Sequence, residues 1–225
     1  MKQKKTAAPR GLTISRYYTQ AGANVYDTVE YEYRTSVIRN TTGDSVFEMN
    51  NVEAPKFWSQ VATDILAQKY FRKAGVPQPD GTTGGETSVR QVVHRLAHCW
   101  RVWGERSGYF ATPADAQAFY DEVAYMLLHQ MAAPNSPQWF NTGLYEVYGI
   151  TGPPQGHWYV DPATRELKQS TSAYERPQPH ACFILSVNDD LVNEGGLMDL
   201  WVREARIFKY GSGVGTNFST IRAEN

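Results

Sequence analysis

Between Cys182 and Ile221 the chain writes out a strand, a helix, a glycine turn and a second strand. Cys182-Phe183-Ile184-Leu185-Ser186-Val187 is a short apolar run. Leu197, Leu200, Trp201, Ala205 and Phe208 then recur at helical spacing from about Gly195 to Lys209. After Gly211-Ser212-Gly213-Val214-Gly215, the stretch from Val214 to Ile221 reads as a second strand. That order makes a β/α unit, which predicts an α/β fold. Such a unit needs neighbours on both sides of its sheet, so the sequence is expected to continue into further strands that these 225 residues do not contain.

The rest of the chain is punctuated by turn and cap residues. Residues 1–12 read as a flexible tail. Leu12-Thr13-Ile14 and the alternation over Tyr26–Tyr33 predict strands, and Ser36–Arg39 with Ser45–Glu48 flank Thr41-Thr42-Gly43-Asp44 as a hairpin. Pro55 is expected to open a helix carrying Phe57, Val61, Ile65, Leu66 and Tyr70, which stops at Gly75-Val76-Pro77. A second helix runs from Thr87 or Ser88 to Arg106. Thr112-Pro113-Ala114-Asp115 starts a third with an N-cap, a Pro at the first helical position and an acid at the third. The prolines of Pro134-Asn135-Ser136-Pro137 break it, and the region from Gly149 to Arg176 reads as irregular. The expected organisation is a tail over 1–12, a mainly helical region with a β-hairpin over 13–134, and the start of an α/β domain over 135–225.

Several functional classes are disfavoured at once. A net charge of −1 offers no general attraction for nucleic acid or an anionic membrane. No apolar run has the length of a membrane span, and the basic start Met1-Lys2-Gln3-Lys4-Lys5 is not followed by an apolar stretch, so a cytoplasmic location without a secretory signal is expected. The two cysteines, Cys99 and Cys182, cannot form a disulfide framework. His94 and His98 stand at i, i+4 but lack the intervening acid of a zinc-protease pattern, so no metal site is assigned.

What remains is a short unit that holds a thiol, a carboxylate and a glycine turn. Cys182 opens a strand at a loop, where ligands of α/β folds are met, although a free cysteine there also serves as a small apolar residue. Asp189, seven residues on and beside Asp190, is either a loop acid or an acceptor for ribose or base groups. Ser136 is either a turn hydroxyl or a phosphate donor. The glycines follow a helix and precede a strand, the reverse of a dinucleotide-binding turn, and fit either a helix stop or close approach to a nucleotide.

Blocks along the whole chain then resemble one family. Gly11-Leu12-Thr13-Ile14, Tyr26-Asp27-Thr28-Val29-Glu30, Pro55-Lys56-Phe57-Trp58-Ser59-Gln60, Asn135-Ser136-Pro137-Gln138-Trp139-Phe140-Asn141, His180-Ala181-Cys182-Phe183-Ile184 and Phe208–Asn217 are similar, in order and spacing, to the N-terminal part of class II ribonucleotide reductases, the adenosylcobalamin-dependent enzymes. The resemblance implies a mainly helical N-terminal region leading into the first strands of a ten-stranded α/β barrel. It implies that ribonucleotides, expected as diphosphates, become deoxyribonucleotides by thiyl-radical chemistry, with a cysteine pair reducing the 2′ carbon. Cys182 resembles the first member of that pair. Ser136 resembles the hydroxyl that holds substrate phosphate, Ala181 and Cys182 line the ribose, and Gly213 matches the glycine whose backbone touches substrate. Asp189 resembles the acid that binds a deoxynucleotide effector between two subunits, and Thr220 stands where related reductases carry an arginine.

The radical cysteine, the second redox cysteine and most cobalamin contacts would lie downstream. The chain alone is therefore expected to be catalytically silent. Its expected partners are the C-terminal remainder of the reductase, a thioredoxin-like reductant and a second copy of the completed enzyme. Two other readings compete: a non-catalytic nucleotide-binding module that docks on a complete reductase, and a thiol oxidoreductase that pairs Cys182 with Cys99.

Overall fold

Asn40 folds its side chain onto Thr42 and Asp44, accepting both backbone N–H groups at 3.0 and 2.9 Å, and so turns the chain back on itself. In the computed structural model, which describes residues 11–223, this turn joins β1 (Tyr31–Arg39) to β2 (Ser45–Pro55). The chain continues through α1 (Gln60–Ile65), a π-helical turn at Leu66–Tyr70, the two-residue strands β3 (Val76–Pro77) and β4 (Thr83–Gly84), α2 (Val89–Arg106) and α3 (Pro113–Leu128). The remaining elements are α4 (Ser136–Asn141), α5 (Leu144–Tyr148), β5 (Trp158–Val160), β6 (Leu167–Gln169), β7 (Cys182–Ser186), α6 (Leu197–Lys209) and β8 (Gly213–Asn217). They divide into two units: residues 11–133 with 143–150, and residues 134–142 with 151–223.

The first unit is built on α2 and α3. Ser88 caps α2 in a reciprocal box with Gln91, and Thr112 caps α3 by accepting from the Asp115 N–H. Both caps fall where the sequence places them. The faces they fix bury Val89, Val92, Val93 and Leu96 of α2, and Ala124, Leu127 and Leu128 of α3. Trp58 closes the core by donating its indole N–H to the Leu128 carbonyl at 2.8 Å. Gly143 passes over α2 at φ +83°, where a Cβ would stand 2.2 Å from the Arg95 carbonyl oxygen. Only glycine fits that crossing.

Two expected elements are corrected here. Tyr26–Thr28 belong to a 3₁₀ turn, Val25–Thr28, rather than a strand. Asn24 caps it and donates to Asp27, while the Thr28 hydroxyl returns to the Val25 carbonyl. These local side-chain partners outbid the strand alternation. Pro55 ends β2 opposite Tyr31 instead of opening a helix, and the cap is Ser59. The face of α1 is consequently turned: Phe57, Val61 and Ile65 are exposed, while Trp58, Leu66 and Ala67 are buried. Leu12 pairs with Phe110 at the edge of this unit, and residues 1–10 of the expected tail lie outside the described residues.

His94 and His98 are part of a polar chain in the same unit. His94 Nδ1 lies 2.8 Å from the Tyr120 hydroxyl, which in turn lies 2.9 Å from the Tyr26 hydroxyl. Burial, then the nearby His98 and Arg101 charges, hold His94 below its ordinary value of 6.5. Burial and then Arg101 lower His98 too, against an opposing pull from Glu146 and Glu105. As pH falls below 6.5, the unfolded chain takes up protons that these folded imidazoles resist, so stability falls with pH over that range. Thermal unfolding followed from about pH 7.5 to about 5.5 is expected to show this slope. His94→Gln should flatten it, and equal slopes in both proteins would contradict the assignment.

In the second unit, β7 and β8 pair in parallel with α6 between them in sequence, the β/α unit read from the pattern. Strand β8 is shorter than expected and stops at Asn217. There the side chain of Asn217 accepts the Ser219 N–H, and Ile221 turns back onto Phe218. The stretch expected to be irregular contains the hairpin β5–β6. Asp161 organises its turn, accepting from Ala163 and Thr164 N–H and from Lys168 Nζ. All sheets among the described residues are two-stranded, so the fold is mixed α/β without a closed barrel.

Candidate functional site

Gln178 builds the approach to β7. Its Nε2 donates to the His180 carbonyl at 2.9 Å and to Ser212 Oγ at 3.2 Å, and Ser212 itself donates to the same carbonyl at 2.7 Å. Gly213 N–H then donates to the Ala181 carbonyl at 2.6 Å, and the parallel register sets Gly213 directly beside Cys182. Three predicted residues, Ala181, Cys182 and Gly213, are thereby gathered at one end of one strand pair.

The alternation of β7 puts Cys182, Ile184 and Ser186 on one face. That face is open: the Cys182 thiol is exposed and Ile184 is 84% exposed. Across from it stand the glycines of β8. A Cβ on Gly213 would meet Cys182 Sγ at 3.6 Å, and one on Gly215 would meet Ile184 Cδ1 at 3.3 Å. Backbone without side chains beside an exposed thiol lets another molecule come close to the sulfur.

Ser136 opens α4, but Asn135 caps that helix by accepting the Gln138 N–H at 3.2 Å. The Ser136 hydroxyl is therefore not the cap. Phe140, one turn further along α4, packs against the glycine turn, with its Cε2 3.3 Å from where a Gly211 Cβ would be. This ties α4 to the turn that delivers Gly213.

Asp189 lies away from this cluster, beyond the far end of β7, since Cys182 and Ser186 alone are ~13 Å apart along a strand. Its neighbour Asp190 accepts the Val192 and Asn193 N–H groups and so serves as the loop acid. The Asn193 side chain, then these backbone donors, hold the Asp190 carboxyl below its ordinary range. Asp189 instead pairs with Arg222, Nε to Oδ2 at 2.6 Å. Sequence reading singled out Thr220, whose hydroxyl donates to the Val187 carbonyl, and missed Arg222. The family resemblance, read on Thr220, did not single out Arg222, which reaches Asp189 through the turn that follows β8.

Cys99 is 1% exposed in α2, and burial pushes its thiol up to about 12. A thiol so protonated is a poor exchange partner, which weighs against the Cys182/Cys99 reading. No group of three metal-ligating side chains occurs among the described residues, and no helix there is long and apolar enough to cross a membrane.

Residues 32–130 match the family model of the class II vitamin B12-dependent ribonucleotide reductase, and residues 180–225 match that of the ribonucleotide reductase barrel domain. Over 95% of its length the chain is 54% identical to the vitamin B12-dependent ribonucleotide reductase of Bradyrhizobium diazoefficiens. The chain belongs to the class II ribonucleotide reductase family. The reductases of Rhodopirellula baltica and Streptomyces coelicolor are 38% and 40% identical over 93% and 98% of the chain. The chain spans 19% of the length of each of these reductases, their N-terminal part. Within the family frame, the region that includes Cys182, Gly213 and Asp189 falls in the barrel-domain match, and the α2–α3 core in the class II N-terminal match.

Proposed function

We propose that this chain supplies the N-terminal part of a reductase that converts ribonucleotides, as diphosphates, to deoxyribonucleotides, and that Cys182 is one of its two reducing thiols. The observation that carries this reading is the exposed Cys182 sulfur beside the bare backbone of Gly213. A ribose laid across that backbone comes within reach of the sulfur, with Ala181 and Gly213 lining it and Ser136 holding its phosphate. Reduction at the 2′ carbon needs two electrons. Two thiols supply them by becoming a disulfide, the 2′ hydroxyl leaves as water, and a thioredoxin-like dithiol restores the pair. The second thiol comes from sequence outside this chain, since Cys99 is locked in the core of the first unit.

Asp189 with Arg222 forms the effector locus in this reading. The guanidinium holds the carboxylate in place and leaves its second oxygen to accept from a deoxynucleotide. Adenosylcobalamin would supply the radical, but the two cavities described in the second unit, about 190 and 640 Å³, are too small to enclose a corrin with its tail. The cofactor is assigned to the remainder of a cytoplasmic, homodimeric enzyme. Joined to the reductase sequence that follows it in its relatives, and given adenosylcobalamin, a dithiol and a ribonucleoside diphosphate, the chain is expected to support deoxyribonucleotide formation. A folded assembly that yields none would overturn the proposal.

A further inference from the structure

The second unit carries two adjoining cavities at the end of α6 remote from Asp189. The larger, about 640 Å³, is lined by Gln169, Ser170, Thr171, Arg206 and Lys209 among others, and the smaller, about 190 Å³, by His157, Phe183 and Ile207. They share Gln155, Gly156, Arg206 and Tyr210. The larger has the size of a small-molecule site. The thirteen residues of α6 put ~20 Å between its two ends, so this place is separate from the Asp189 locus at the first turn.

The charge in the larger cavity is unbalanced. Arg203, one turn earlier, is neutralised by Asp199 at 2.7 Å. Arg206 makes no ion pair or hydrogen bond among the described residues, and Lys209 has only the Tyr210 ring, 5.7 Å away. No carboxylate lines either cavity. A helix C-terminus itself opposes an anion, but here the Ile207 carbonyl is taken by the Tyr210 and Ser212 N–H groups and the Phe208 carbonyl by Gly211. Two cations next to the Thr171 hydroxyl suit a phosphate, while the buried Ser170 hydroxyl is already taken by the Ser172 carbonyl.

The smaller cavity adds a second requirement. His157 Nε2 faces the Arg176 carbonyl, which can only accept, so Nε2 carries a proton, and in the tautomer protonated there alone Nδ1 is an acceptor. Nδ1 is buried and has no partner. A buried acceptor left unpaired is costly, and a ligand hydroxyl or amino group would satisfy it.

We infer that these joined cavities bind a phosphorylated sugar, free or as part of a nucleotide, with its phosphate at Arg206 and Lys209 and a hydroxyl or amino donor on His157 Nδ1. Calorimetric titration of the chain with ribose 5-phosphate, ATP and tripolyphosphate tests this. Saturable binding of at least one of the two sugar ligands is expected, weakening with added salt. Arg206→Gln with Lys209→Gln should lower the affinity at least about tenfold, whereas Arg203→Gln, one turn earlier on the same helix and outside both cavities, should leave it unchanged. His157→Leu should weaken the sugar ligands and spare tripolyphosphate. The tighter of ATP and ribose 5-phosphate identifies the source of the phosphate. Absence of saturable binding by both sugar ligands, or binding indifferent to the Arg206/Lys209 double change in a protein whose circular dichroism is native, would overturn the inference.

Discussion

Cys182→Ser is expected to lower ribonucleotide reduction by the completed enzyme at least ~10³-fold, of the order seen when an essential reacting group is removed, while leaving the fold and substrate binding intact. The oxygen of serine cannot form the disulfide that delivers two electrons, so no partial activity survives through this residue. The structural cost is small for a specific reason. The sulfur is exposed on the open face of β7, and its nearest cross-strand neighbour is a glycine with no side chain to repack. Substitutions at such exposed sites change stability by about 0.5 kcal/mol or less. Turnover and substrate affinity measured side by side check this: turnover should vanish while affinity stays near the wild-type value. Cys99→Ser is the matched contrast, since it removes a buried thiol and should cost stability without abolishing the reaction. A Cys182→Ser enzyme that keeps a tenth of its turnover would sink the redox assignment.

Local chemistry was legible in the sequence wherever a single side chain decides the backbone. Thr112 with Pro113 and Asp115, the helix start at Thr87 or Ser88, and the turn over Thr41-Thr42-Gly43-Asp44 all stand where the sequence puts them, though the Gln91 and Asn40 side chains that complete the last two were not singled out. The strand from Cys182 was equally clear, because an apolar run between a Pro-rich loop and an acid pair leaves few alternatives. Failures came where tertiary partners overrule the local signal. Pro55 has the residue type of a helix start, yet its pairing with Tyr31 holds it in β2. The π-helical turn at Leu66–Tyr70 changes which side chains face inward, and no periodicity of 3.6 can announce that. In the candidate site, Cys182 and Gly213 are far apart in sequence and meet only through strand register, whereas Arg222 meets Asp189 through a turn that follows the last strand. The unpaired Arg206 could not be told from any exposed helix cation until the cavity beside it was seen.

Glu86→Ala is expected to destabilise the first unit by about 3–5 kcal/mol, the cost of leaving one member of a buried ion pair behind. Glu86 and Arg95 are both 0% exposed and joined at 2.8 Å. The carboxylate also accepts the Arg72 N–H at 2.8 Å and the Tyr148 hydroxyl at 2.9 Å, so it binds α2, α5 and the segment after the π turn to one point. Burial first, and then the Glu86 charge, push the Tyr148 phenol up, which keeps it a hydrogen-bond donor at any ordinary pH. Removal of the carboxylate takes the charge partner from the fully buried Arg95 guanidinium and one hydrogen bond each from the part-buried Tyr148 phenol and Arg72 N–H. Urea unfolding followed by tryptophan fluorescence should show the midpoint fall by roughly 2 M, taking a slope of ~2 kcal/mol/M. Glu86→Gln separates charge from volume. The amide preserves the shape and can still accept, but it cannot neutralise Arg95, so most of the loss should remain. If Glu86→Gln proves nearly neutral, the pair acts through its hydrogen bonds and packing rather than through its charge.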